Sequence, residues 1–424
     1  MRIRGDLEVG VVQREQVQVT RLNRSGSYPH PDRKLDRPRV ALFHPCLIHG
    51  GIPHVFIELA RGLLEQDLDV DLVQATPPPA MAMSGSRTDP ALGGDVRDQV
   101  PDGVRLVDLN TSRVLKSVLP LARYLRRERP QALISGALHA NVAAAWACRI
   151  SRISTRLVLT EHSIISAVVK NAASAQTPRR ARVSPFFVRL FYPWAYALVA
   201  VSPGVATDLA AVSGIPRKRI HVIYNPIVGP ELFARAGLPL DHAWFLAGRP
   251  PVIVAVGRLD HFKDYPVLLR AFAVLRRNRP ARLLILGEGE ERRSLEALVR
   301  NLDLEADVSM PGNVANPLPF MKRSAVFVLS SKAEAFPSVL IEALAAGAQI
   351  VATDCPFGPK EILEDGTFGR LVPVGDVDAL ARALEQALAV PSPSAPASAL
   401  KRFSRDESIR AYCRLIGVPF TPCA

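Results

Sequence analysis

The stretch Ser330–Gly347, SSKAEAFPSVLIEALAAG, limits what the chain can fold into more than any other. Upstream lies AVFVLSS, an apolar run of the buried-strand type that ends in serines. Downstream, ALAAGAQIVATD gives a small-residue helix end stopped at Gly347, then another apolar strand. The unit reads strand, loop, helix, strand. Pro337 suits the first helical position, where a missing N–H is no loss. Glu334 falls in the loop, and Glu342 just over one turn into the helix. Units of this kind pack as parallel sheets, which bind ligands in the crevice at the carboxyl ends of their strands. Both carboxylates and the free N–H groups of Ser338, Val339 and Leu340 can face that crevice. Such N–H groups favour an anion, and a carboxylate one turn on can take two ribose hydroxyls. The alternative is two solvated helix glutamates.

A second constellation opens the same half of the chain in PVIVAVGRLDHFKDYPVLLRAFAVL. The strand over Val252–Val256 ends in Gly257 and Arg258, and Lys263 follows just before a helix that begins near Tyr265 and Pro266. Two cations and a glycine on a strand-to-helix loop can clamp a diphosphate. Arg bonds two oxygens in parallel, Lys supplies a point charge, and both offset charge on a leaving group. The alternative is a surface ion pair. Gly287 and Gly289 follow the next strand with Arg292 where a third glycine would stand, so the dinucleotide fingerprint is absent and hydride transfer loses support.

The chain's 424 residues suggest two or three domains. A hydrophobic share of 48% with alternating strand and helix patterns points to a soluble α/β protein with a sizeable core. The net charge of +13 admits nucleic acid, an anionic membrane or anionic substrates. With no zinc spacing, recognition helix or aromatic-basic RNA motif, nucleic acid is the weakest of the three and is not expected as a partner. Five scattered cysteines suggest neither a disulfide framework nor a metal site, which makes a reducing cytosol the simplest home. The N-terminus lacks a signal-peptide core, and no apolar run is long enough to cross a membrane.

Residues 1–36 read as a flexible extension or a mis-assigned start, and residues 37–228 as a first α/β domain. Residues 229–250 show no clear pattern and read as a linker, followed by a second α/β domain over 251–399 and a final helical segment over 400–424. In the first domain Gly50 and Gly51 open a helix after the first strand and let backbone approach a ligand closely, unless they form a simple tight turn. His139 and His162 each stand just past a strand end; a histidine bonded to backbone is the plainer reading of either. Lys170, Arg179, Arg180, Arg182 and Arg189 alternate with Phe186, Phe187, Phe191, Tyr192 and Trp194, which suits contact with anionic lipid or an ordinary charged helix face.

The run E-A-F-P-S-V-L-I-E-A-x-A-x-G resembles the signature of the retaining, nucleotide-sugar-dependent glycosyltransferases of family 4. Gly257-Arg258 through Lys263 is similar to that family's G-R-x4-K motif, with Asp264 where glycine is common. VSPGVA, VIYNPI and the T-E-H tripeptide ending at His162 also resemble family segments. The resemblance covers roughly residues 38–417 and implies the GT-B architecture, two Rossmann-like domains whose parallel sheets face a central cleft. It puts Glu334 at the donor sugar with His139 or His162, and Glu342 on the ribose. Arg258 and Lys263 then hold the diphosphate, Val314 cradles the base, and Gly50 and Gly51 lie over the phosphates. The C-terminal helix would cross back to the first domain.

Two departures stand out. Ala335 replaces a frequent glycine, and Ile52-Pro53-His54 replaces the usual residues after the glycine pair. The implied activity is transfer of a hexose or N-acetylhexosamine from a nucleotide-sugar, most simply a UDP-sugar, to a lipid-linked or glycan acceptor, with retention and without a metal or other cofactor. DCPFGPKEIL resembles a bacterial subset that builds surface polysaccharide, which implies work at the inner face of the cytoplasmic membrane. The rival readings are a GT-B epimerase or phosphorylase, and an assembly protein that binds a sugar nucleotide without turnover.

Overall fold

Short apolar runs separated by helical-period segments have one economical arrangement, parallel strands with crossover helices on both faces. The computed structural model describes residues 19–21, 37–47, 51–75, 99–171 and 184–422. In the first half the strands are β1 (Val19–Arg21), β2 (Arg39–His44), β3 (Asp69–Gln74), β4 (Arg105–Asp108), β5 (Ala132–Gly136), β6 (Arg156–Glu161), β7 (Ala197–Ala200) and β8 (Ile220–Val222). They form one sheet, in the order β1-β4-β3-β2-β5-β6-β7-β8, with every neighbouring pair parallel. The second half contributes β9 (Val252–Val256), β10 (Arg282–Leu286), β11 (Val308–Gly312), β12 (Val326–Leu329), β13 (Ile350–Thr353) and β14 (Arg370–Val372). These also pair in parallel, in the order β11-β10-β9-β12-β13-β14.

The side-chain period of two explains the core. Val40 and Leu42 of β2 pack into one apolar cluster, while Ala41 and Phe43 pack into another on the opposite face. Because both faces are covered, most strand residues are apolar, and a polar one inside a strand is paired, as Asp71 of β3 is with Arg105 and Arg39. With the edge strand β1 set aside, the strand order in each sheet reverses once, between β2 and β5 and between β9 and β12. A crevice opens at the carboxyl ends of the strands at such a reversal, and here the two crevices face each other across one cleft.

Three expectations need correction. The N-terminal extension is not wholly outside the fold, since Val19–Arg21 adds β1 to the edge of the first sheet. The linker over 229–250 is structured, with a helix at Pro230–Ala236 and a 3-10 turn at Ala243–Phe245. Pro337 does not occupy the first helical position. It caps the helix in extended backbone, and Ser338 starts the helix Ser338–Ala345. The crossing-back helix is Arg405–Ile416, whose Ile409, Tyr412, Cys413 and Ile416 pack into the core of the first half. The Val228 N–H donates to the Phe403 carbonyl at 3.0 Å and the Arg405 N–H to the Val228 carbonyl at 2.9 Å, so the two chain crossings are laced together.

The glycines after β9 and β10 meet back to back. A methyl group at Gly287, whose φ is +149°, would lie 1.9 Å from the Gly257 carbonyl oxygen. Gly287→Ala should therefore lower stability by roughly 3 kcal/mol or more, from overpacking against backbone on top of an unfavourable φ. Chemical denaturation reads this directly, and an unchanged midpoint would mean that the two loops can part.

Candidate active site

The loops after β9 and β12 are neighbours because those strands pair, and side chains stitch them together. The Ser330 hydroxyl donates to the Lys263 carbonyl at 2.7 Å, and the Lys332 N–H to the Phe262 carbonyl at 2.7 Å. Lys263 Nζ then lies 2.6 Å from Glu334 Oε1. The Ser331 hydroxyl donates to the same oxygen at 2.7 Å. Glu334 Oε2 has no protein partner among the described residues, so one carboxylate oxygen is fixed and the other remains for a ligand. Arg258 has a different setting. Its Nε sits 2.8 Å from Asp260, but the side chain is 74% exposed and reaches into open space. Asp264 adopts the left-handed conformation, φ +48°, at the position where family 4 commonly has glycine. Asp tolerates that region better than most residues, and its carboxylate takes the Lys332 ammonium at 3.0 Å.

At the start of the helix Ser338–Ala345, the Leu340 N–H is spent on the Pro337 carbonyl at 3.0 Å. This trims the expected set of free N–H groups to Ser338 and Val339, which have no protein acceptor among the described residues. Glu342 lies one turn further in. Ala335 needs no left-handed backbone, since its φ is not positive, so this departure from glycine brings a methyl group without backbone strain. Its carbonyl accepts the Ser202 hydroxyl at 3.2 Å, one of few bonds across the cleft. The Asn225 amide approaches the Ser338 hydroxyl at 3.4 Å.

The opposite wall is built on the ends of β2, β5 and β6. His44 closes β2, and His162 follows β6. Both pack against Phe56, with ring centroids 5.3 and 6.1 Å away. His139, near the start of the helix Leu138–Ser151, is exposed. Burial lowers the pKa of His44 to about 4, and the nearby His139 pushes in the same direction. Burial lowers that of His162 to about 3, with His44 adding to the effect. Below them Glu161 accepts the Tyr192 hydroxyl at 2.8 Å and the Ser163 hydroxyl at 2.5 Å. Burial still raises its pKa against those bonds.

The cleft between the walls has a volume of about 1060 Å³. Gly51, His139 and His162 line it from the first half, and Gly257, Arg258, Lys263, Val314, Glu334, Ser338, Val339 and Glu342 from the second. Gly50 lies outside the described residues, as do Arg179, Arg180, Arg182 and the side chain of Lys170. Sequence reasoning missed His44 and Asn225, which also line the cleft. A lone histidine closing an apolar run has no spacing partner; the signal was its position, at the same sheet edge as His139 and His162. Among the described residues, no group of His, Cys, Asp and Glu is arranged to hold a metal ion, and no helix is long and apolar enough to cross a membrane.

Two sequence-family profiles match, Glycosyltransferase Family 4 over residues 49–228 and Glycosyl transferases group 1 over residues 241–404. Among curated proteins, the chain is 33% identical over 235 residues to the N-acetylgalactosamine-N,N'-diacetylbacillosaminyl-diphospho-undecaprenol 4-alpha-N-acetylgalactosaminyltransferase of Campylobacter jejuni, a match covering 55% of this chain and 60% of that protein. It is 30% identical over 225 residues to the lipopolysaccharide core biosynthesis glycosyltransferase LpsE of Rhizobium meliloti, covering 52% of this chain and 63% of the relative. The chain thus matches a little under two thirds of the length of these relatives. Among solved structures, Anabaena HepE in complex with UDP and glucose superposes with a TM-score of 0.67 at 19% identity, covering 90% of this chain and all of the other (100%). Staphylococcus aureus TarM, solved with UDP among its ligands, gives a TM-score of 0.68 at 10% identity, covering 89% of this chain and 99% of the other. At these identities the superpositions establish the fold, which is GT-B.

Proposed function

The chain belongs to the glycosyltransferases that join a family 4 N-terminal half to a group 1 C-terminal half, and on that premise we propose that it moves a hexose or N-acetylhexosamine from a UDP-sugar to a lipid-linked or polysaccharide acceptor in bacterial surface-glycan synthesis. The observation that carries this reading is the meeting of Lys263, Glu334 and Ser331 on the loops after β9 and β12, beside Arg258 and the free N–H groups of Ser338 and Val339. The diphosphate lies among Arg258, Lys263 and those N–H groups, which meet its charge from two sides. Glu342 takes the ribose hydroxyls, Val314 flanks the base, and Glu334 Oε2 accepts a hydroxyl of the donor sugar.

In the transfer, the bond between the anomeric carbon and the diphosphate oxygen breaks while the acceptor oxygen bonds the same face. The departing phosphate oxygen takes the acceptor's proton, so the protein need not supply a base and the configuration is retained. Arg258 and Lys263 stabilise charge as it develops on the leaving group, the work a metal ion does elsewhere; no metal or other cofactor is assigned a role. UDP in two structural neighbours and undecaprenol-diphosphate in the name of the Campylobacter relative support the choice of donor and acceptor.

A lipid-linked acceptor would bring the protein to a membrane. On the first half, Phe186 is 63% exposed, Leu190 45%, Tyr196 60% and Trp146 39%. Arg149 lies over the Trp194 ring and Arg156 over the Tyr196 ring, each 5.3 Å from the centroid. Exposed aromatics with arginines at their edge suit the headgroup region of an anionic bilayer. Phe186→Ser with Leu190→Ser should reduce co-sedimentation with anionic vesicles about tenfold. Equal sedimentation of the double variant and wild type would remove this face from the reading.

The test of the reaction is thermal stabilisation by UDP-, GDP- and ADP-sugars, alongside release of nucleoside diphosphate and analysis of the sugar product. Stabilisation by UDP-sugars and release dependent on acceptor lipid are expected. A folded sample that no nucleotide stabilises would overturn the reading. An isomerised or phosphorylated sugar product would turn it to an epimerase or a phosphorylase.

A further inference from the structure

The segment DCPFGP after β13 has no part in the transfer as described. Phe357 within it takes φ +66°, a conformation that a bulky side chain rarely adopts and that persists only where the surroundings impose it. Burial does not explain it, since 38% of the residue stays exposed. Its ring lies instead across the boundary between the halves, against Gly204 in the first turn of the helix Pro203–Ser213. A methyl group at Gly204 would stand 2.6 Å from Phe357 Cγ, the base of the ring, so no flexible side-chain end is there to give way. Gly204 itself needs no special backbone, as its φ is not positive, and glycine is a poor helix former. A glycine with no backbone reason thus meets an aromatic residue in a conformation that suits glycine. Their contact accounts for both.

The neighbours of this contact give it leverage on the candidate site. Ser202, the cap of the same helix, donates its hydroxyl to the Ala335 carbonyl at 3.2 Å. That bond draws the first half toward the loop that carries Glu334, and the ring beside it limits how close the two come. On its other side the segment is seated on the same loop. A methyl group at Gly358 would lie 2.5 Å from Pro337 Cδ and 3.5 Å from Phe336 Cα. Phe336 in turn stacks on Tyr224 of the first half, with ring centroids 5.2 Å apart. The Tyr224 hydroxyl donates to Glu361 in the helix Pro359–Ile362, just beyond the segment. Phe357 is therefore backed by the donor loop and faces the first half.

We propose that Phe357 is a positioning residue for the transfer: a spacer that, through Gly204, sets the registration of the first half on the loop bearing Glu334, and so the gap an acceptor must cross to the anomeric carbon. This rests on the glycosyl-transfer reading. In that reading the diphosphate lies among second-half groups, Arg258, Lys263 and the N–H groups of Ser338 and Val339. The spacer therefore governs turnover and leaves nucleotide binding to them.

Phe357→Gly in the full chain fits the backbone conformation and removes the ring. Turnover is read as UDP released from UDP-hexoses and UDP-N-acetylhexosamines, with bacterial membrane lipid extract as acceptor. It should fall about ten- to a hundredfold, the cost of displacing reactants by about an ångström, while UDP affinity stays within about twofold. Phe357→Tyr, which keeps the flank of the ring, should retain turnover. Gly204→Ala should lose turnover too, and combined with Phe357→Gly should cost less than the two singles together, because the added methyl then has room. Turnover of Phe357→Gly within about twofold of wild type, or UDP affinity falling in step with turnover, would overturn the proposal. Should Gly204→Ala fail to fold, the two Phe357 variants still decide it. Small-angle scattering, which needs no substrate, separates the spacer from the transfer reading. Gly204→Ala should raise the radius of gyration, and adding Phe357→Gly should reverse the rise. If UDP fails to bind the wild type, the transfer reading falls, and an unchanged radius in a folded Gly204→Ala variant would overturn the spacer by itself.

Discussion

Glu334→Gln should leave the fold intact and slow transfer by about a hundred- to a thousandfold, the cost of removing one preorganised electrostatic group from a reacting centre. The amide is nearly isosteric, and its oxygen can still accept from Lys263 and Ser331, which lie 2.6 and 2.7 Å from Glu334 Oε1. What it loses is charge. In the proposed transfer the carboxylate faces the sugar as positive charge develops at the anomeric carbon, and it would accept a sugar hydroxyl more strongly than an amide does. Donor binding should suffer less than turnover, because the charge matters most in the transition state. Initial rates at saturating donor, with UDP affinity measured on the same preparation, separate the two. Activity within a few-fold of wild type would make Glu334 a structural partner of Lys263 and nothing more.

The fold was legible because parallel strands buried on both faces leave continuous apolar runs. VIVAV and VFVL became β9 and β12 as read, and the loops after them carried the motifs that fix Arg258, Lys263, Glu334 and Glu342 at one sheet edge. Pairwise geometry was hidden. Lys263 and Glu334 meet only because β9 and β12 are sheet neighbours, and strand order is a tertiary fact that no local spacing records. The same holds for His44, which joins His139 and His162 across the reversal between β2 and β5. The helix Pro230–Ala236 escaped notice because a short segment gains little from its own propensity. It is held by Arg405, which donates to Glu231 at 2.7 Å from the far end of the chain. Pro337 misled by one position: Pro favours the first helical turn, but here it sits in extended backbone as the cap, with Gly358 packed against its ring.

Lys263→Ala should weaken UDP binding about tenfold or more and slow transfer by about another hundredfold. The first figure is a charge-assisted hydrogen bond to phosphate, worth roughly 1.5–3 kcal/mol; the second is lost stabilisation of the leaving diphosphate. The variant also strands a carboxylate. Glu334 has only 13% of its side chain exposed, and without Lys263 it keeps the Ser331 hydroxyl as its one remaining partner among the described residues. Part of the damage from Lys263→Ala is therefore damage to Glu334, and the double variant with Glu334→Gln should cost less than the two singles combined. Lys263→Arg should recover binding better than turnover, since the guanidinium restores charge but cannot place a point charge at the same spot. Isothermal titration with UDP and initial rates on wild type, the Lys263→Ala and Glu334→Gln variants and their double variant measure the coupling. Strict additivity would mean that Lys263 leaves Glu334 for the phosphate once donor binds, and that their pairing belongs to the empty cleft alone.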